Sequence, residues 1–175
     1  MSDVRALAAG IKALLFDVDG VLTDGGMFTD EDGRVMKRFD VRDGAGLKFA
    51  REVGLVTGII SGHDSAATRA RAKMLGLDHC MTGVERKELA LAEILKRTGL
   101  DASQVLYMGD DYVDIPVLAA VGLAVSVPHA PAAVKAVCRY VTTAPAGHGA
   151  VREAIEIVLA AGGHVERLLK RYGAP

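Results

Sequence analysis

LLFDVDGVLTDG, residues 14–25, sets Asp17, Asp19 and Asp24 into a run that is otherwise apolar and branched. A buried carboxylate is costly unless it is paired or holds a cation. The stretch therefore reads as a buried strand, residues 11–18, ending in acids that meet positive charge. Three more short aliphatic runs follow: LVTGII (55–60), VLYM (105–108) and LAVSV (123–127). Each is bounded by Gly, Asp or Pro. Continuous apolar runs of this kind mark strands covered on both faces, as in a parallel sheet.

Helical patterns lie between the runs, over 44–53, 63–75, 86–97, 112–120 and 132–137. A last one covers 150–171, with a break expected at Gly162-Gly163. Alternating strands and helices predict an α/β, doubly wound parallel sheet. Residues 27–39, MFTDEDGRVMKRF, depart from the alternation and read as a β-hairpin with its turn at 30–33. Such a hairpin either covers a site mouth or pairs with other subunits. The chain is expected to form a single domain, 1–175, with this hairpin as an insertion and no large cap. Residues 172–175 are expected to fray.

The chain has 175 residues, half of them hydrophobic, with no Trp and few aromatics, so the core is aliphatic. Its 21 basic and 22 acidic residues leave a net charge of −1. That balance offers no general attraction to nucleic acid or to anionic membrane. No apolar run reaches the roughly 20 residues of a membrane span, and no basic segment precedes an apolar one as in a signal peptide. Cys80 and Cys138 lack any CxxC context and are expected as two buried thiols in a reducing, cytoplasmic compartment. The methionines at 27, 36, 74, 81 and 108 are expected in the core. His79, His129 and His164 are expected to be structural.

In an open parallel sheet, ligands bind at the carboxyl ends of the strands. Asp17 and Asp19 follow the first strand there, Ser61 and Gly62 the second, and Asp110, Asp111 and Asp114 the third. Lys87 opens a helix just after the short run 79–81. So many carboxylates around one lysine require a divalent cation, and oxygen ligands point to Mg²⁺. Asp17, Asp110 and the carbonyl of Asp19 are the expected ligands, with Asp111 and Asp114 holding waters or orienting Lys87. Residues i and i+2 share one face of an extended chain. Asp17 then reads as a nucleophile toward phosphorus. Asp19, kept protonated by burial and a neighbouring negative charge, reads as the general acid. Ser61 and the amide of Gly62 would hold phosphoryl oxygens, and Lys87 would neutralise them. The DVDG of residues 17–20 and the DEDG of 30–33 both fail as calcium loops, because apolar or basic residues stand where ligands and the glycine belong.

The motifs DVDGVLTD (17–24), ISG (60–62), Lys87 and GDDYVD (109–114) together resemble the haloacid-dehalogenase-like phosphatase superfamily. That resemblance implies a phosphoaspartate mechanism with Mg²⁺. The hairpin, FDVRDGAGLK (39–48) and GHGAVRE (147–153) are similar to the family of 3-deoxy-D-manno-octulosonate 8-phosphate phosphatases, which act in lipopolysaccharide biosynthesis. This narrower resemblance implies a homotetramer joined by its hairpins. It also places Arg42, Asp43, Gly44, Lys48 and Arg71 near a sugar acid. His63 and His148 stand where that family carries Arg, so the site keeps its chemistry but grips a carboxylate differently. A nonulosonate 9-phosphate or another sugar phosphate is the alternative substrate. A signalling receiver would carry its acceptor Asp on the second strand, where this chain has Ser61-Gly62. A non-catalytic tetramerisation domain would have lost Asp17 or Asp19.

Overall fold

The computed structural model describes residues 2–173. Six strands form one parallel sheet: β1 (Ala13–Phe16), β4 (Val56–Ile60), β5 (His79–Met81), β6 (Val105–Met108), β7 (Leu123–Ser126) and β8 (Tyr140–Val141). Their order is β5-β4-β1-β6-β7-β8, and every pairing is parallel. All residues of β1, β6 and β7 are buried. That is why these strands read as unbroken apolar runs with no alternation.

The helices are α1 (Ser2–Ala9), α2 (Val41–Glu52), α3 (Ala66–Leu75), α4 (Lys87–Thr98), α5 (Ile115–Leu118), α6 (Ala132–Val137), α7 (Ala150–Ala161) and α8 (Val165–Arg171). Helix α2 packs on α3 and α7, and α1 also packs on α7; α5 packs on α4 and α6. The chain leaves β1 toward β4 and leaves β6 toward β7. Its direction therefore reverses between β1 and β6, and an open α/β sheet has its ligand crevice at such a reversal.

The strands β2 (Met27–Thr29) and β3 (Val35–Lys37) pair antiparallel as the expected hairpin. Met27, Phe28 and Met36 are exposed on it, and Met74 is exposed on α3. The expectation of core methionines holds for Met108 and, in part, for Met81. Cys80 is exposed on the edge strand β5, not buried, while Cys138 is partly buried.

Helix α2 starts at Val41, three residues ahead of the sequence reading. Asp40 caps it by accepting from the Arg42 amide at 2.7 Å. Val41, Arg42 and Asp43, the residues left out, show no apolar period ahead of Leu47. At Gly46 a Cβ would come within 2.9 Å of Arg152 Cδ on α7, so the two helices meet there without side-chain bulk. Helix α3 starts later than expected, after an extended Ser65. The break after α7 falls at Gly162-Gly163 as expected. Tyr172 does not fray: its hydroxyl donates to Glu52 and its ring packs edge-on against Phe49. Residues 174 and 175 lie outside the described residues.

Candidate active site

Phe16 pairs with Ile59 on one side and Met108 on the other. This register places Ser61 and Asp110 level with each other, flanking the turn that follows β1. Asp17 is buried, and its Oδ1 accepts from the Val18 amide at 2.7 Å. Lys87, the first residue of α4, is also buried, with Nζ 2.9 Å from Asp17 Oδ2 and 2.7 Å from Asp114 Oδ1.

Asp114 has no exposed surface, and both of its oxygens are taken. Lys87 Nζ and the Tyr107 hydroxyl donate to Oδ1, while the amides of Asp110 and Asp111 donate to Oδ2. It therefore organises the GDD loop. Asp111 is exposed and its carboxylate caps the following turn at the Tyr112 amide. One oxygen each from Asp17, Asp110 and Asp114 lies within 4.8 Å of the others. Because Asp114 is saturated, Asp17 and Asp110 are the pair with capacity left for a cation.

Their surroundings fit that ligand. Burial pushes the Asp17 carboxyl up to about 7, helped by the charge of Asp114 and opposed by Lys87. Burial likewise raises Asp110 to about 7, with Asp114 and Asp111 adding to it. For Lys87, burial works against the charge, but Asp17 and Asp114 outweigh it and raise its pKa. Asp110 Oδ1 is buried with no hydrogen-bond partner, and so is Asp19 Oδ1. Gly20 packs so tightly on Asp110 that a Cβ there would overlap the carboxylate. Hard oxygen donors, short of positive charge and held at close quarters, suit Mg²⁺.

Asp19 differs from the sequence reading. It lies in a turn, not on extended chain. Its charged neighbour is the Lys37 ammonium, 2.7 Å from Oδ2, and not a second carboxylate. His63 Nδ1 is 3.8 Å from the same oxygen. Ser61 is buried, and its hydroxyl donates to the His63 carbonyl at 3.2 Å; Gly62 beside it is exposed.

The residues expected near a sugar acid divide. Arg42 pairs with Asp40 and donates to the His148 carbonyl at 2.8 Å, which ties the start of α2 to the loop before α7. The exposed His148 ring makes a 2.9 Å contact from Nδ1 to the Ala146 carbonyl. His148 lines a cavity of about 250 Å³ with Asp24, His129, Pro145 and Ala146. His129 Nε2 is 3.6 Å from Asp110 Oδ2, so this cavity adjoins the acids.

Asp43, Gly44, Lys48 and Arg71 are each engaged within the fold. Asp43 is buried and accepts from the amides of Gly149 and Arg152, so it caps α7. Gly44 is buried against the Arg71 guanidinium. Lys48 lines a different cavity of about 610 Å³ with Leu55 and Val56, at the amino end of β4. Arg71 donates to the Asp40 carbonyl at 3.1 Å and stacks on Phe39, bracing α3 against the start of α2.

Sequence reasoning missed Lys37, Tyr107 and His129. Tyr107 could have been found, because a phenol inside an apolar strand needs a polar partner. Lys37 left no such signal, since it arrives from the hairpin and not from a strand end.

A family model for haloacid dehalogenase-like hydrolases matches residues 47–155. The chain belongs to the haloacid dehalogenase-like hydrolases. It is 40% identical to the 3-deoxy-D-manno-octulosonate 8-phosphate phosphatase of Haemophilus influenzae, over 87% of this chain and 85% of that protein. It is 36% identical to the enzyme of the same name in Escherichia coli K12, over 94% and 88%. Among solved structures, a probable YrbI family phosphatase from Pseudomonas syringae superposes with a TM-score of 0.95 at 40% identity, covering 98% of both chains. The 3-deoxy-D-manno-octulosonate 8-phosphate phosphatase of Moraxella catarrhalis, solved with magnesium, phosphate and the sugar acid, also reaches 0.95. It is 35% identical, covering 98% of this chain and 99% of that one.

Proposed function

We propose that this protein is a Mg²⁺-dependent phosphatase that hydrolyses 3-deoxy-D-manno-octulosonate 8-phosphate through an aspartyl phosphate on Asp17. The observation that carries this reading is the meeting of Asp17 and Asp110 at the β1–β6 reversal, with Lys87 against Asp17. The relatives that share the fold and name this substrate support it.

Asp17, Asp110 and the carbonyl of Asp19 would hold Mg²⁺, which supplies positive charge to a phosphoryl group. The Asp17 carboxylate attacks phosphorus in line. Asp19 gives its proton to the leaving alkoxide as the P–O bond breaks. Asp19 then takes a proton from the water that hydrolyses the acyl phosphate on Asp17. Ser61 and the Gly62 amide hold phosphoryl oxygens, the hydroxyl turning from the His63 carbonyl to do so. Lys87 balances charge beside Asp17, and Asp114 keeps Lys87 in place. His63, Arg71, Arg42 and His148 supply the polar rim for the sugar acid.

The exposed Met27, Phe28 and Met36 support assembly through the hairpin, and we assign a homotetramer working as one domain per chain in the cytoplasm. Among the described residues no helix is long and apolar enough to cross a membrane. A nonulosonate 9-phosphate is the second reading, favoured by His63 and His148 at the positions where the family resemblance implies Arg. A phosphate-release screen over sugar-acid and hexose phosphates, with Mg²⁺ and then with EDTA, tests both. Release limited to the octulosonate ester and abolished by chelation is the expected result. Release from no sugar phosphate would overturn the proposal.

A further inference from the structure

The Lys37 side chain is fully buried although it comes from the projecting hairpin. Its ammonium donates to Asp19 Oδ2 at 2.7 Å and to Thr68 Oγ1 of α3 at 3.3 Å. Thr68 is itself buried. Three separate segments thus meet at one ammonium: the turn after β1, strand β3 and helix α3. The contact leaves the two oxygens of Asp19 unlike. Oδ2 is held, whereas Oδ1 is buried with no partner.

We infer that Lys37 is a positioning residue for the reaction. It pins one oxygen of Asp19 so that the other is presented to the oxygen leaving phosphorus. A carboxyl on a turn, unlike one on a strand, has no ladder to fix it. A charge-assisted hydrogen bond to a buried ammonium supplies that constraint. Thr68 holds the same ammonium, which links the hairpin and α3 to the carboxyl of Asp19. The hairpin is in this way part of the catalytic apparatus as well as an exposed surface. In the step served, Asp19 passes a proton to the departing alkoxide while the phosphoryl group bonds to Asp17, so charge and atoms balance. Lys37 itself exchanges no proton.

This inference rests on the proposed role of Asp19 as general acid, and its test separates the two. The readout is the ratio of kcat/KM for an alkyl phosphate to that for 4-nitrophenyl phosphate, at saturating Mg²⁺. The nitrophenolate leaves without needing a proton, so a defect confined to proton delivery lowers the ratio. General acid catalysis contributes roughly 10²–10⁴-fold, so Asp19→Asn is expected to lower the ratio by at least about a hundredfold. Lys37→Met is expected to lower it by about tenfold or more, and Lys37→Arg to restore most of it. Thr68→Val, which leaves the charge in place, is expected to lower the ratio less and decides the matter if Lys37→Met does not fold. An Asp19→Asn ratio equal to that of the unaltered protein would overturn the general-acid reading. A normal ratio in Lys37→Met beside a depressed one in Asp19→Asn would overturn the positioning role alone. Loss of both activities in equal proportion would also overturn it, since that is what a merely structural lysine produces.

Discussion

Lys87 Nζ lies 2.7 Å from Asp114 Oδ1, and neither side chain is more than 2% exposed. Removing Asp114 leaves Lys87 with Asp17 alone and strands the Tyr107 hydroxyl and the Asp110 and Asp111 amides without their acceptor. Asp114→Ala is expected to lower the unfolding free energy by about 3–5 kcal/mol, read from urea denaturation. A loss under about 1 kcal/mol, the scale of a surface pair, would contradict that expectation.

Asp17 has no substitute as nucleophile among its neighbours. Asp114 is saturated, and Asp110 belongs to the cation. Asp17→Asn is expected to reduce turnover to background while circular dichroism stays native, because an amide does not attack phosphorus as a carboxylate does. Retained turnover would remove the covalent step.

Asp17 and Asp110 carry carboxyls raised by burial from 3.8 to about 7. Between those values the metal-free folded protein holds more protons than the unfolded chain, so its stability falls as pH rises through the window. Mg²⁺ competes with the same protons. The gain in Tm on adding Mg²⁺ is therefore expected to be larger near about pH 8 than near about pH 5. Equal gains in a thermal melt would sink the assignment of these two carboxylates to the cation.

Asp43 joins residues 106 and 109 positions apart by capping α7. Asp43→Ala is expected to destabilise the fold by about 1–2 kcal/mol, the scale of a lost N-cap. KM should stay near that of the unaltered protein. A raised KM with unchanged stability would return Asp43 to the substrate.

Phe28 is 66% exposed and Met36 is 63% exposed, and they face each other across the hairpin. Phe28→Glu combined with Met36→Lys is expected to lower the mass seen by light scattering toward that of one chain. An unchanged mass would take the hairpin out of the assembly.

The central strands were legible because burial on both faces removes polar residues. β8 was not, because Tyr140–Val141 is too short to form a pattern. The start of α2 was hidden because Val41–Asp43 shows no apolar period ahead of Leu47. Acids at strand ends announced Asp17 and Asp110, since carboxylates inside apolar runs demand a cation. The partners of Asp43 and Lys48 were not legible, because a shared motif says which residues are near in sequence, not which way they point. Lys37 was invisible for the opposite reason: nothing in residues 27–39 says what the hairpin leans against.

The strand order also constrains how the molecule is made. Both neighbours of β1, β4 and β6, come later in the chain. At roughly 5–20 residues per second, the nascent β1 waits several seconds before its second partner emerges. Through most of that interval its apolar segment and Asp17 stand without Lys87. That wait is a consequence of setting β1 between two strands that are made after it.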